Sequence, residues 1–120
     1  MQNARRDLHR SILFQASRFP DEQTLYQVPT QGGRAKRVYA FKSEQAVPGF
    51  AVSPDGRAVA IVMPAPDSFM QVFKVSVDGS NLKQLTFDPC NKTQPAWSRD
   101  GKTIAFTVWN YDALFWLLRR

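Results

Sequence analysis

The stretch FAVSPDGRAVAIVMP, residues 50–64, joins a tight turn to a run of apolar residues. Pro54 suits the second position of a type I turn, and Gly56 can adopt the positive φ that often follows such a turn. The run from Ala58 to Met63 is apolar at both odd and even positions, and six residues is the length of a strand. The stretch therefore predicts a hairpin whose second strand is covered on both faces.

The same pattern returns as PAWSRDGKTIAFTVW, residues 95–109, after a shift of 45 residues. Five positions are identical, and they pair Ala51, Ser53, Asp55, Gly56 and Ala60 with Ala96, Ser98, Asp100, Gly101 and Ala105. A shift of 47 residues relates the earlier part of the chain to the same pattern, pairing Ile12 with Val59, Phe14 with Ile61, Tyr26 with Phe73 and Val28 with Val75. Self-similarity at such a period indicates a repeat architecture.

Each repeat contains four short strands. After the hairpin, QVFKVSV at 71–77 alternates in strand fashion and meets the turn signal Asp78-Gly79, and LKQLTF at 82–87 closes the unit. No segment has helical periodicity. Antiparallel four-stranded units of about 45 residues are typical of β-propeller blades.

Three segments in order, SPDGRAVAIV, VFKVSVDGSNLKQLT and PAWSRDGKTIAF, closely resemble the WD40-like (PD40) repeat of the TolB β-propeller family over about residues 10–110. The chain departs from that repeat at Arg99, where Pro is usual, and at Val52, which occupies the position of Trp97. In addition, PTQGG replaces an Asp-Gly turn at 29–33. The resemblance implies an all-β propeller and a protein partner bound by its loops or by its funnel face.

The strand count predicts an incomplete propeller of about two and a half blades. The predicted division is an N-terminal tail at 1–9, a partial blade with strands two to four at 10–45, a complete blade at 46–90, and a partial blade with two or three strands at 91–120. Closed propellers have roughly four to eight blades. The chain is therefore expected to be a piece of a longer product, to complete itself by self-association, or to be a relic.

The unfinished blades should expose strand edges and apolar faces, which favour association. The residues expected on these faces are Ile12, Phe14, Leu25 and Val28 at one end, and Ile104, Phe106, Leu114 and Phe115 at the other. The sequence also explains Trp97, Phe106 and Phe73 most simply as core between blades, so Phe106 carries both expectations.

The charge of +6 is spread along the chain. Its basic residues form only small clusters: Arg5, Arg6 and Arg10, then Arg34, Lys36 and Arg37. This pattern does not predict a nucleic-acid partner. No signal peptide is recognisable, and no run approaches the roughly 20 apolar residues of a membrane helix. We expect no membrane insertion, a cytoplasmic location for the chain as written, and a periplasmic one if it belongs to a longer exported protein.

Residues suited to catalysis are few. His9 is the only histidine, and no G-x-S-x-G nucleophile elbow accompanies it. Cys90 is the only cysteine, so it forms no intramolecular disulfide, and no base for a nucleophilic role is evident near it. The sequence therefore predicts no catalytic residue and a chain that is not an enzyme.

Metal and cofactor sites are not predicted either. Zinc requires three or four suitable ligands, which one histidine and one cysteine do not provide. The recurring aspartates suggest calcium at first sight, but they recur with the turn, and a structural role explains Asp55, Asp78 and Asp100 better. The glycosylation sequon at 91–93 is interpreted as chance.

Three function classes remain open. The first is a non-enzymatic propeller segment that serves as a scaffold for protein–protein interaction. The second is the propeller part of a prolyl-oligopeptidase-like serine peptidase. The third is a propeller in a sensor or regulator fused to a DNA-binding domain.

Overall fold

The computed structural model describes residues 4–6, 11–18, 20–43, 49–109 and 115–119, and these form eleven strands in three antiparallel sheets. The first sheet contains β1 (Ala4–Arg6), β2 (Ser11–Arg18), β3 (Glu22–Pro29) and β4 (Lys36–Lys42). The second contains β5 (Phe50–Val52), β6 (Ala58–Pro64), β7 (Met70–Ser76) and β8 (Lys83–Gln84). The third contains β9 (Asn91–Trp97), β10 (Thr103–Trp109) and β11 (Phe115–Arg119).

Each sheet is a meander in which the strands lie in chain order, as in a propeller blade. We call the sheets the first, second and third blades. The described residues include no helix, and therefore none that could cross a membrane.

The first blade differs from the division predicted from the sequence. The sequence predicts that it begins at its second strand after a tail at 1–9, but β1 lies within that tail and pairs antiparallel with β2. The blade therefore has four strands rather than three. A strand of three residues contains too few positions for a period-two pattern, which explains why the sequence does not indicate it.

Strand β6 lies between two apolar cores. Its odd-numbered residues Val59, Ile61 and Met63 pack against the first blade in a cluster that includes Leu13 and Leu25. Its even-numbered residues Ala60 and Val62 pack against the third blade, in a second cluster with Ile104, Phe106 and Val108. Strand β6 is thus apolar at both odd-numbered and even-numbered positions because it has a neighbouring blade on each side.

The predicted core aromatic residues lie between blades. Phe73 belongs to the core shared by the first and second blades, and Phe106 to the core shared by the second and third. Trp97 packs at the edge of the second core, and its indole Nε1–H donates a hydrogen bond of 2.9 Å to the carbonyl of Ala51. That bond connects β9 directly to β5, so the indole joins the third blade to the second.

The residues expected on the outer faces of the end blades are only partly found there. Leu25, Ile104 and Phe106 are buried against the second blade instead, so the expectation is wrong for these three. Side chains alternate along a strand, and these three are on the side that faces the neighbouring blade.

The first and second blades also approach closely through the backbone. Gly79, in the turn between β7 and β8, has φ of +90°, and a Cβ at this position would lie 2.5 Å from the carbonyl oxygen of Val38. Val38 lies in β4 of the first blade. Only glycine fits both the backbone conformation and the available space.

Replacing Gly79 with Ala should therefore destabilise the protein more than replacing Gly32. Gly32 has a similar φ of +95°, but a Cβ added there would meet no atom within 4 Å, so Gly32→Ala isolates the backbone strain. We expect a loss of about 1 kcal/mol in unfolding free energy for Gly32→Ala. For Gly79→Ala the same strain applies, and the added methyl group also collides with the Val38 carbonyl. We therefore expect Gly79→Ala to lose a further amount of about 1–3 kcal/mol in unfolding free energy. Denaturant unfolding measures both variants. Equal losses for the two variants would contradict the close approach of the blades.

Candidate functional site

A cleft of about 490 Å³ opens where all three blades meet at one end of their strands. This end carries the turns between second and third strands and the connections from one blade to the next. The cleft is lined by Asp21, Lys42, Ser43, Pro64, Ser68, Met70 and Asn91. Polar and charged side chains from three blades converge in this cleft.

The first blade contributes a carboxylate, an ammonium group and a hydroxyl. Asp21 lies in the turn between β2 and β3, and Lys42 and Ser43 lie at the end of β4. The Ser43 amide donates a 2.8 Å hydrogen bond to the carbonyl of Asp21, which holds the two segments together. The Lys42 side chain is exposed, so its charge is available to a ligand.

The second blade contributes a strained loop between β6 and β7. Ser68 has φ of +71°, which is uncommon for a residue other than glycine. The conformation is held by a bond from the Ser68 amide to the Ala65 carbonyl at 2.8 Å and by a bond from the Phe69 amide to the Asp67 carboxylate at 2.9 Å. Strain of this kind persists where the surrounding structure imposes it, and it often occurs at binding sites.

The third blade reaches the cleft through Asn91 at the start of β9. Its side-chain Oδ1 accepts a 2.8 Å hydrogen bond from the amide of Met70, the first residue of β7. The asparagine thus joins the second and third blades at the rim of the cleft. From the sequence, the sequon that contains Asn91 is assigned no role.

A buried polar network fixes the connection between the second and third blades. Gln71 has no exposed surface, and its Nε2 donates to the Asp88 carbonyl at 2.8 Å. Its Oε1 accepts from the Thr86 hydroxyl at 2.6 Å, and that hydroxyl accepts from the Val72 amide at 2.9 Å. Because both ends of the Gln71 amide are bonded, its burial is compensated, and residues 86–88 are held against β7.

Lys92 completes this network from β9. Its ammonium group is fully buried and donates to the carbonyls of Asp88 at 3.0 Å and Cys90 at 2.6 Å. It also forms an ion pair of 2.9 Å with the half-exposed Asp88 carboxylate. Three oxygens therefore surround the cation, and the connection folds around it.

Buried glutamines also occur in the first blade. Gln23 Nε2 donates to the carbonyl of the cleft residue Ser43 at 3.2 Å, and Gln23 Oε1 accepts from the Ser17 hydroxyl at 2.5 Å. Gln15 lies beside Gln23, with 3.5 Å between Gln15 Nε2 and Gln23 Oε1. Within the described structure, Gln15 Oε1 is buried without a hydrogen-bond partner. A polar layer thus extends from the cleft into the first blade.

The repeated aspartates lie away from this cleft and hold the turns. Asp55 Oδ1 accepts bonds from the Ser53 hydroxyl at 2.7 Å and the Arg57 amide at 3.0 Å. Asp100 repeats this geometry with the Ser98 hydroxyl at 2.6 Å and the Lys102 amide at 3.0 Å. Bonds from serine hydroxyls, and secondarily from backbone amides, lower the pKa of Asp55, Asp78 and Asp100 below the ordinary value of 3.8. These hydrogen bonds give the aspartates a structural role.

The other residues considered from the sequence do not converge. His9 lies outside the described residues. Cys90 is partly buried, and its carbonyl is used by Lys92. Among the described residues, no three His, Cys, Asp or Glu side chains come together in a way that could hold a metal ion. No sequence motif singles out Asp21, Lys42, Ser68 or Gln71. Gln71 is a polar residue in the mostly apolar start of β7, whereas Lys92 lies in β9, which is mostly polar in sequence.

The cleft is suited to binding a small zwitterionic or peptide-like group. It combines one carboxylate and one ammonium with hydroxyls, an amide and the apolar side chains of Pro64 and Met70. These groups can bind charged ends and peptide bonds.

Comparison with known proteins gives two kinds of similarity. No protein-family model matches the chain. The chain is 38% identical over 71 residues to dipeptidyl-peptidase 5 of Porphyromonas gingivalis, a match covering 55% of this chain and 10% of that protein. It is 36% identical over 56 residues to the uncharacterized peptidase YuxL of Bacillus subtilis, covering 47% of this chain and 8% of that protein. The chain thus spans about a tenth of the length of these curated relatives.

The solved structures identify the fold. A TolB-type structure from Agrobacterium tumefaciens superimposes with a TM-score of 0.77, covering 95% of this chain and 40% of that one, at 22% identity. The chain has a TolB-like propeller fold. The all-β, incomplete propeller predicted from the sequence is confirmed, whereas the assignment to PD40 repeats, the protein partner and the cellular compartment stay predictions.

The prediction that the chain is not an enzyme is wrong, because the curated proteins that it resembles are named as peptidases. That prediction was based on a single histidine and on the missing nucleophile elbow. Those features describe only the residues in this chain, and the chain matches only a small part of its relatives.

The lowered pKa values of the turn aspartates predict a loss of stability in acid. Folding favours their ionised form, so the stabilisation is present above pH 3.8 and disappears as the pH falls through the lower folded-state values. The melting temperature of the parent should fall steeply below about pH 4. The double variant Asp55→Asn/Asp100→Asn keeps acceptors that do not titrate and should show a smaller fall. Parallel curves for parent and variant would contradict this role.

Lys92→Met should lower the free energy of unfolding by about 1–3 kcal/mol, because the Asp88 and Cys90 carbonyls lose their buried donor. Lys83→Met is the matched control, since Lys83 is exposed on β8 and its replacement should change stability by less than about 0.5 kcal/mol. Denaturant unfolding measures both variants. Equal stability of the two variants would show that the network does not hold the connection.

Proposed function

We propose that the chain is the propeller part of a peptidase-related protein and that its interblade cleft contacts peptide. The observation that carries the proposal is the 38% identity over 71 residues to a dipeptidyl-peptidase 5. A second curated protein named as a peptidase supports it at 36% identity over 56 residues. The similarity to the TolB-type structure supports the propeller and gives no information about its use.

The cleft provides suitable chemistry for such a contact. Lys42 can pair with a peptide carboxylate, and Asp21 can pair with an amino group. Ser68 and Asn91 offer hydrogen-bonding groups at the rim, while Met70 and Pro64 provide an apolar surface. In this role the propeller binds and orients peptide for chemistry that involves other parts of the protein.

A chimera tests the assignment to a peptidase. The 71 matched residues of the Porphyromonas gingivalis dipeptidyl-peptidase 5 are replaced with their counterparts from this chain. If these residues perform the same task in both proteins, the chimera should keep dipeptidyl-peptidase activity, with kcat/KM within about tenfold of the parent.

The matched control inserts the corresponding segment of the Agrobacterium tumefaciens TolB-type structure, which has the same fold at 22% identity to this chain. We expect that control chimera to lose activity while keeping its circular dichroism spectrum. If both folded chimeras are equally active, the fold alone is sufficient and the specific assignment fails. A folded but inactive chimera with this chain's residues would also overturn it.

Binding by the cleft is measured separately on the 120-residue chain. A zwitterionic dipeptide should shift the NMR signals of residues around the cleft, and Lys42→Met should weaken binding by about tenfold through loss of an ion pair. Lys83→Met is the control, because Lys83 is exposed on β8 and is not part of the cleft. Equal affinities of the two variants, or no binding by the parent, would overturn the assignment of the cleft.

A further inference from the structure

The outward face of the first blade carries an apolar patch, and the ion pair of Arg18 with Glu22 lies farther along the same two strands. Ile12 and Phe14 of β2 lie opposite Val28 and Tyr26 of β3 in the strand register. The rings of Phe14 and Tyr26 are stacked, with centroids 5.4 Å apart and an angle of 22° between their planes. We call these four residues the leading face. All four are partly exposed, and none carries a charge.

The repeat shows what the leading face is built to contact. The 47-residue shift relates its four residues to Val59, Ile61, Val75 and Phe73 of the second blade. All four counterparts are buried in the core shared with the first blade. The leading face therefore repeats, position by position, a surface that is covered by a preceding blade inside this same chain.

The other end of the chain carries the complementary surface. In β10, Ile104, Phe106 and Val108 face the second blade, so the alternating residues Thr103, Ala105 and Thr107 lie on the opposite side. We call these three residues the trailing face. Ala105 corresponds to Ala60 through the 45-residue shift, and Ala60 is one of the residues through which the second blade contacts the third.

We infer that two copies of this chain associate head to tail, with the leading face of each against the trailing face of the other. The contact reproduces the interblade contacts already present within the chain. Two copies supply six sheets, which lies within the four to eight blades of closed propellers. The same heterologous contact then occurs twice and closes the ring, so each leading face is covered by a trailing face.

Sedimentation of the 120-residue chain tests the inference. We expect a species of twice 13.7 kDa at about 100 µM, without larger polymers, because the ring is closed. Phe14→Glu on the leading face and Ala105→Glu on the trailing face should each raise the dimer dissociation constant at least about tenfold. Lys83→Glu, an exposed change on β8, should leave the dimer intact.

The decisive measurement is sedimentation of a mixture of the Phe14→Glu and Ala105→Glu variants. Each variant alone has both contacts damaged, but the mixed dimer keeps one contact between two parental faces, so dimers should reappear. Their recovery also shows that both variants are folded. A monomeric parent at about 100 µM, an open polymer, or a dimer lost in only one face variant overturns the head-to-tail ring. If the parent is a monomer, we would conclude that the leading and trailing faces contact further blades of a longer polypeptide instead.

Discussion

Burial of β6 on both faces is the interaction on which the rest of the structure depends. Val59 and Ile61 fill the core towards the first blade, while Ala60 and Val62 fill the core towards the third. A strand that is apolar on one side only would hold one neighbour and leave the other blade unsupported. Because the cleft takes residues from all three blades, its shape is determined by the packing around this one strand.

Buried polar groups fix the relative position of the second and third blades more narrowly than the apolar packing does. Packing of aliphatic side chains is tolerant of small shifts, whereas a buried amide or ammonium requires its partners at hydrogen-bonding distance. Gln71 and Lys92 meet that requirement through the carbonyls of Asp88 and Cys90, which makes the connection between the second and third blades part of the core. The same connection leads directly into Asn91 at the cleft, so the stability of the network and the geometry of the rim are coupled.

The features that repeat along the chain are those that build the blades. Asp55 and Asp100 have the same hydrogen bonds to serine hydroxyls and backbone amides, which explains their recurrence without a ligand. The cleft residues do not repeat in type: Asp21 and Ser68 lie at equivalent positions through the 47-residue shift but differ chemically, and Lys42 and Asn91 occupy different places in their blades. This difference explains why the sequence motifs indicate the fold and leave the peptidase relationship as one of three open function classes.

The sequence by itself determined the turns, the strand period and the double burial of β6, because these depend on neighbouring residues and on alternation within a few positions. Pro54, Gly56 and the run from Ala58 to Met63 were sufficient for that prediction. Tertiary structure alone decided that β1 completes the first blade, that Trp97 bonds to Ala51, and that Lys92 is buried among carbonyls. It also brought the cleft residues together. Each of these depends on contacts between blades or on a strand too short to show a pattern, and local sequence does not encode which distant backbone group will lie within reach of a side chain.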